Sequence, residues 1–256
     1  MPTVLITGCS SGFGLETAKL FLDRGWQVVA TMRTPSPDLL PASERLQLLA
    51  LDVTDADSIR EAVAAAGPID VLVNNAGVGL LYPLEAHTMD VVRDVFETNA
   101  LGTIAMTRAV LPQFRLRGAG TIVNVTSAVT LAPMPLLAVY SGSKAAVNAF
   151  TESLALELAP LGIRTRLVVP GASPATRFGE RARAHMGDMP DAYRPTLQDV
   201  VRAFQSRGDD VTRPRDVAEA VWQAATDPDA PARLPAGADA VALALAVQPA
   251  ASGVAT

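Results

Sequence analysis

Tyr140 and Lys144 stand four positions apart in the run Tyr140-Ser141-Gly142-Ser143-Lys144, so on a helix their side chains share one face, about one turn apart. A free phenol has a pKa near ~10, and using it as a base at neutral pH needs positive charge close by. Lys144 supplies that charge, which equips the pair to move a proton to or from an oxygen atom. Taken alone, the same spacing also describes an ordinary amphipathic surface. A third candidate, Ser127, lies thirteen residues before Tyr140 at the end of the β-branched run from Thr121. The carboxyl edge of a sheet is where open α/β folds bind ligands, and a hydroxyl there can stabilise charge developing on a substrate oxygen.

A second constellation is the loop Thr7-Gly8-Cys9-Ser10-Ser11-Gly12-Phe13-Gly14, which separates an apolar run from an amphipathic one. Glycines there let the backbone turn tightly and bring main-chain N–H groups and a helix N-terminus up to a phosphate. A tight turn with no ligand is the competing reading. Further on, the second apolar run ends Val28-Val29-Ala30-Thr31-Met32-Arg33, without a carboxylate. A carboxylate would repel a phosphate, whereas Arg33 can pair with one through two parallel hydrogen bonds; Ser10, Ser11 and Thr34 could add hydroxyl donors. A solvated loop arginine is the alternative.

Short apolar runs at Thr3 to Thr7, Gln27 to Thr31, Leu46 to Leu51, Val71 to Asn74, Thr121 to Thr126 and Arg164 to Val169 must position these groups. They alternate with helical patterns at Gly14 to Arg24, Met89 to Arg117 and Ala138 to Ala159, an order that predicts a parallel sheet. Runs apolar on both alternating positions predict strands covered on both faces. The expected fold is therefore α/β, a single doubly wound, Rossmann-type three-layer domain with a central parallel sheet over residues 1–256. The irregular stretch 172–215 is expected to be a substrate-binding insertion. The apolar tail from Ala236 to Val247, interrupted by Asp239, is too short to span a membrane and reads as a core strand or buried subunit contact.

Asn74-Asn75-Ala76-Gly77 after the fourth strand and Pro170-Gly171 after the sixth complete the pattern. With TGxxxGxG, Ser127 and the Tyr140–Lys144 pair, the motifs stand in the order of the short-chain dehydrogenase/reductase family, in its classical branch, which the chain resembles over residues 3–176. TGCSSGFG and ATMR look like its hydroxysteroid and retinol dehydrogenase side. The resemblance implies a catalytic group of Ser127, Tyr140, Lys144 and Asn99, the last holding a water that relays protons to Lys144. It implies a dinucleotide held by Gly8, Ser10, Ser11, Gly12, Phe13 and Gly14, with Asp52 and Val53 at the adenine. Asn75, Ala76, Gly77, Tyr140, Lys144, Pro170 and Gly171 would complete the cofactor site. A threonine after Pro-Gly usually binds the carboxamide; here Thr176 comes one residue late, behind the additional Pro174. Arg33 then favours NADP(H), and no metal is expected.

Leu80, Leu81, Tyr82, Pro83 and residues 132–137 are mostly apolar, so the expected substrate is a ketone or secondary alcohol on a hydrophobic skeleton. His87 and His185 read as solvent-facing or helix-associated, and Met186 and Met189 as lid or gap-filling residues. A net charge of −5, from 21 basic and 26 acidic residues, argues against a nucleic-acid partner. The single cysteine, Cys9, permits no internal disulfide and fits a reducing compartment. With no signal segment, the cytoplasm is expected. Small residues Ala145, Ala146 and Ala149 suggest a homodimer or homotetramer. The rival functions are a non-catalytic NADP(H) sensor and a scaffold subunit.

Overall fold

The computed structural model describes residues 1–174, 188–206, 208 and 210–247. β1 (Thr3–Ile6), β2 (Gln27–Met32), β3 (Leu46–Ala50), β4 (Val71–Asn74), β5 (Gly120–Val125), β6 (Ile163–Pro170) and β7 (Arg233–Ala236) form one sheet. Its order is β3-β2-β1-β4-β5-β6-β7, and every pairing is parallel. The chain builds outward from β1 in one direction and from β4 in the other, which opens a crevice at the carboxyl ends of those two strands. Helices cover both faces, giving the expected three-layer α/β architecture.

Successive strand residues point to opposite faces, and the two cores follow from that alternation. Val4 and Ile6 join Phe21, Val217 and Val221 on one side, packed against α1 (Gly12–Asp23) and α7 (Pro214–Thr226). Leu5 and Leu72 join Ile59, Met106, Phe114 and Leu154 on the other, under α2 (Ala56–Ala66), α4 (Gly102–Arg117) and α5 (Ala138–Leu158). On the first face Phe21 meets Trp26 and Trp222 edge-on, with ring centroids 5.1 and 5.0 Å away, the geometry that aromatic quadrupoles favour.

The expected helix from Met89 to Arg117 is broken. α3 (Met89–Phe96) gives way to a π-helical segment at Glu97–Leu101 before α4 begins. Asn99 lies in that segment, fully buried, and bulges of this kind aim a side chain that a regular turn would not. The core-strand reading of the tail is corrected as well: Ala238–Val247 is a helix, α8, following α6 (Arg194–Gln205) and α7 in chain order. Its residues alternate small and large, as in a strand, but alanine and leucine are strong helix formers and Asp239 suits a first helical turn. No helix among the described residues is long and apolar enough to cross a membrane.

Phe114 is wholly buried beneath β4 and β5. Phe114→Ala removes that ring and leaves a cavity, so denaturant unfolding should register a loss of about 3–5 kcal/mol; a loss below about 1 kcal/mol would mean the layer repacks freely.

Candidate active site

The crevice is bound together by hydrogen bonds between the first and fourth strands. The Thr7 hydroxyl accepts from the main-chain N–H of Asn75 at 3.0 Å and of Ala76 at 2.9 Å. The Asn75 amide in turn donates to the carbonyls of Thr7 at 2.9 Å and Gly8 at 3.3 Å. Gly14 belongs to this clamp by necessity: a Cβ there would lie 2.4 Å from both Asn75 Nδ2 and Gly8 O. Gly8 has φ +76°, a conformation that side chains disfavour.

The loop delivers the N-terminus of α1 into the crevice. Ser11 precedes the helix in extended conformation and its side chain makes no capping bond; the first turn carries no acidic residue. The helix therefore presents unpaired N–H donors and the positive end of its dipole, as an anion requires. Phe13 packs its ring against the core beneath, leaving its main chain as the part that can serve a ligand. At the end of β2, Arg33 is exposed and makes no hydrogen bond or salt bridge with a described residue. Asp52 accepts from the main-chain N–H and hydroxyl of Thr54 at 3.0 and 2.7 Å. Those bonds, with a lesser contribution from the charge on Arg33, hold its carboxyl below the usual range. Asp55, not Asp52, caps α2. Val53 is buried over Gly102.

On the other side of the crevice, Tyr140 and Lys144 lie one turn apart on α5, each 5% exposed. Ser127, two residues past the end of β5, hydrogen-bonds to the Tyr140 hydroxyl. Lys144 Nζ donates to the carbonyl of Val125 at 3.0 Å. Asn99 donates to Val78 O and to Ser143 Oγ, and accepts from Val78 N, at 2.9, 3.0 and 2.8 Å. Ser143 completes the link by donating to the Tyr140 carbonyl at 2.7 Å. A Cβ on Gly77 would come within 3.1 Å of Asn99 Oδ1 and 3.3 Å of Lys144 Nζ, so the loop that clamps Gly8 also borders the lysine.

Burial dominates the electrostatics. It pushes the Tyr140 phenol up to about 12, against the opposing hydrogen bond from Ser127, and brings the Lys144 ammonium down to about 8. Cys9 is buried with its thiol raised to about 12, which makes it a packing residue and not a nucleophile.

The wall around Tyr140 is apolar: Leu80, Leu137 and Val139 pack with it, joined by Leu81, Val129 and Met134. The two wall segments are tied by a bond from Tyr82 N to Leu136 O at 2.8 Å. His87 sits against the Tyr82 ring, and burial lowers its pKa. Pro170 ends β6 and Gly171 follows it, while Thr176 and His185 lie outside the described residues. Sequence reasoning assigned no site role to Thr7 or Ser143, although both occur inside the motifs it used, and missed the Val125 carbonyl, which carries no side-chain signal.

The short chain dehydrogenase family model matches residues 2–187. The chain belongs to that family. It is 38% identical over 235 residues to an uncharacterised oxidoreductase, YusZ, of Bacillus subtilis, a match spanning 87% of this chain and 84% of the relative. Human retinol dehydrogenase 8 is 39% identical over 207 residues, 76% of this chain and 67% of that one. Among solved structures, a short chain dehydrogenase of Burkholderia cenocepacia in complex with NADP superposes with a TM-score of 0.75 at 28% identity, over 96% of this chain and 92% of that one. A 3-ketoacyl-(acyl-carrier-protein) reductase of Brucella melitensis complexed with NADH gives 0.78 at 28% identity, over 93% and 97%.

Lys144 offers a test of the site that needs no substrate. Its folded pKa is depressed, so burying the charged form costs stability in full below about pH 8. That cost fades as pH rises from about 8 toward the ordinary lysine value of ~10.4. The cofactor-free Lys144→Met variant should accordingly melt above the wild type at pH 7, with the difference shrinking toward pH 10. A thermal-denaturation series in which the gap is flat or widens with pH would remove the buried charge from the account.

Proposed function

We propose that the protein is an NADP(H)-dependent oxidoreductase that moves a hydride between the nicotinamide and a carbonyl or secondary-alcohol carbon of a largely apolar substrate, with Tyr140 as general acid and base. The observation that carries this reading is the Tyr140 hydroxyl, bonded to Ser127, one turn from a buried Lys144, inside an apolar wall. A scaffold has no use for a buried lysine, whose desolvation is costly, and a non-catalytic sensor has none for a Ser127–Tyr140 pair set in an apolar wall.

The uncommitted start of α1, the serine hydroxyls of Ser10 and Ser11, and the clamp at Gly8 and Gly14 fit a pyrophosphate. Gly12, Asp52, Val53, Asn75, Ala76, Gly77, Pro170, Gly171 and Thr176 would complete the cofactor site. The bound dinucleotide supplies the hydride donor or acceptor and, when oxidised, a positive charge. In reduction Tyr140 gives its proton to the substrate oxygen while Ser127 donates a hydrogen bond to it; in oxidation Tyr140 takes the hydroxyl proton back. The phenol stands at about 12 in the cofactor-free site, which already contains Lys144, so its role as a base depends on the further positive charge that an oxidised cofactor would supply. Asn99 holds the turn of α5 between Tyr140 and Lys144 through Ser143, and its role in passing protons to Lys144 is part of the same reading.

Since related structures hold NADP in one case and NADH in another, preference rests on this chain's own groups. Arg33 is exposed just past the end of β2, makes no hydrogen bond or salt bridge with a described residue, and suits a 2′-phosphate. The hydrophobic wall fits retinoid-like, steroid-like or aromatic ketones and alcohols, in keeping with the likeness to a retinol dehydrogenase. We further read the exposed Ala145, Ala146 and Ala149 of α5 as part of a homodimer or homotetramer contact, which sedimentation equilibrium would test, and infer a cytoplasmic location.

Acetophenone, all-trans-retinal and a 17-keto steroid, followed at the nicotinamide absorbance, form a suitable screen. Tyr140→Phe should lower turnover of the best of these by at least about 10²-fold while NADPH still protects the protein thermally; full turnover in the variant would overturn the mechanism. Arg33→Ala should weaken NADPH binding by about tenfold and leave NADH nearly unchanged; equal loss for both would remove the argument for a 2′-phosphate contact.

A further inference from the structure

The segment leaving β6 begins beside the reacting groups. Val125 pairs with Val168 in the β5–β6 register, and Thr126 N donates to Val168 O at 2.8 Å, which brings Pro170 and Gly171 alongside Ser127. Gly171 and Ala172 are held there by residues far along the chain. Ala172 N donates to Asp239 Oδ2 at 2.7 Å, and Ala172 O accepts from Thr212 N at 2.8 Å. The Thr212 hydroxyl accepts from Gly171 N at 2.9 Å. It faces two acceptors, Asp239 Oδ1 at 2.7 Å and Ala236 O at 2.8 Å, and divides its one proton between them.

The packing leaves no room for a looser arrangement. A Cβ on Gly171 would fall 2.2 Å from Asp239 Oδ1, and one on Gly237 would fall 2.1 Å from Thr212 Oγ1. Thr212 is 1% exposed. The helix that carries Asp239, α8, also supports the Ser127 turn: Ala240 and Leu243 pack with Ala128, Leu131, Leu167 and Val169. One C-terminal helix thus braces both segments that flank Ser127, one through hydrogen bonds and one through apolar contact.

We propose that Thr212 and Asp239 are positioning residues for the hydride transfer proposed above: they fix the backbone at Gly171 and Ala172, and through α8 the Ser127 turn, so that substrate and hydride partner meet Tyr140 in register. This rests on the oxidoreductase reading. Neither residue is assigned contact with the reacting atoms. A carboxylate accepting two hydrogen bonds is a strong anchor for a loop, and transfer between bound groups falls steeply with misplacement.

The experiment pairs Thr212→Val with Thr212→Ser, the first removing the hydroxyl at constant shape and the second keeping it, alongside Asp239→Ala. Two readouts are taken on the full chain: hydrogen exchange at the Gly171 and Ala172 amides, and kcat for whichever screened carbonyl compound the wild type turns over fastest. Thr212→Val and Asp239→Ala should speed exchange at those two amides and lower kcat by about 10²-fold, while Thr212→Ser stays within about twofold of wild type in both. NADPH dissociation constants should move less than kcat, because α1 and Arg33 are untouched. Faster exchange with kcat retained would overturn the proposal, as would unchanged exchange in both variants. Should Asp239→Ala fail to fold, the two Thr212 variants make the same comparison. A wild type that turns over none of the screened carbonyl compounds would instead sink the parent oxidoreductase reading, an outcome distinct from active variants.

Discussion

The hydrogen-bonded clamp between Thr7 and Asn75 is the constraint on which the rest of the site depends. β1 and β4 are neighbours in the sheet, yet the chain leaves them in opposite directions, and without a tie the two loops would be free to splay. The Thr7 hydroxyl and the Asn75 amide close that gap with four hydrogen bonds. From there contact passes along a continuous path: Gly77 lies against Asn99 and Lys144, Asn99 holds Ser143, and Ser143 holds the Tyr140 carbonyl. The glycine loop and the tyrosine, more than a hundred residues apart in the chain, are thereby set in one frame.

That frame contains groups that a purely stabilising core would exclude. Lys144 is buried with its ammonium on the carbonyl of Val125, and burial costs its charged form dearly. Polar side chains nearby are linked to one another, with Asn74 Oδ1 left without a hydrogen-bond partner among the described residues. Asn74 donates to Asn124, which donates to Thr151, each at 2.8 Å, joining β4, β5 and α5 across the centre of the sheet. Two apolar cores on opposite faces of the sheet offset what the site gives up, and the cost falls on the carboxyl edge, where the chemistry is proposed.

Legibility followed the reach of local physics. Six strands appeared as apolar runs: five of them are largely buried, while β3, at the edge of the sheet, is only half-buried. β7 was missed: it has only four residues and includes Pro235, which an edge strand tolerates and a central one does not. The helix from Met89 to Arg117 looked continuous, since a π-helical insertion leaves the hydrophobic pattern almost intact. Asp239 was visible only as an interruption in an apolar tail. A lone carboxylate in such a run needs partners, and its partners lie on segments that no sequence spacing connects to it.

The α/β class, the order of the motifs, and the spacing that puts Tyr140 and Lys144 on one helical face are all legible in the residue order, because each depends on residues within a turn or a strand of one another. Tertiary structure alone decided that Ser127 reaches the Tyr140 hydroxyl, that Asn99 is committed to Val78 and Ser143, and that Thr212 and Asp239 grip the backbone after Gly171. Those contacts join positions 13, 21, 44, 41 and 67 residues apart. Over such separations only the packing of the sheet and its helices fixes which side chains meet.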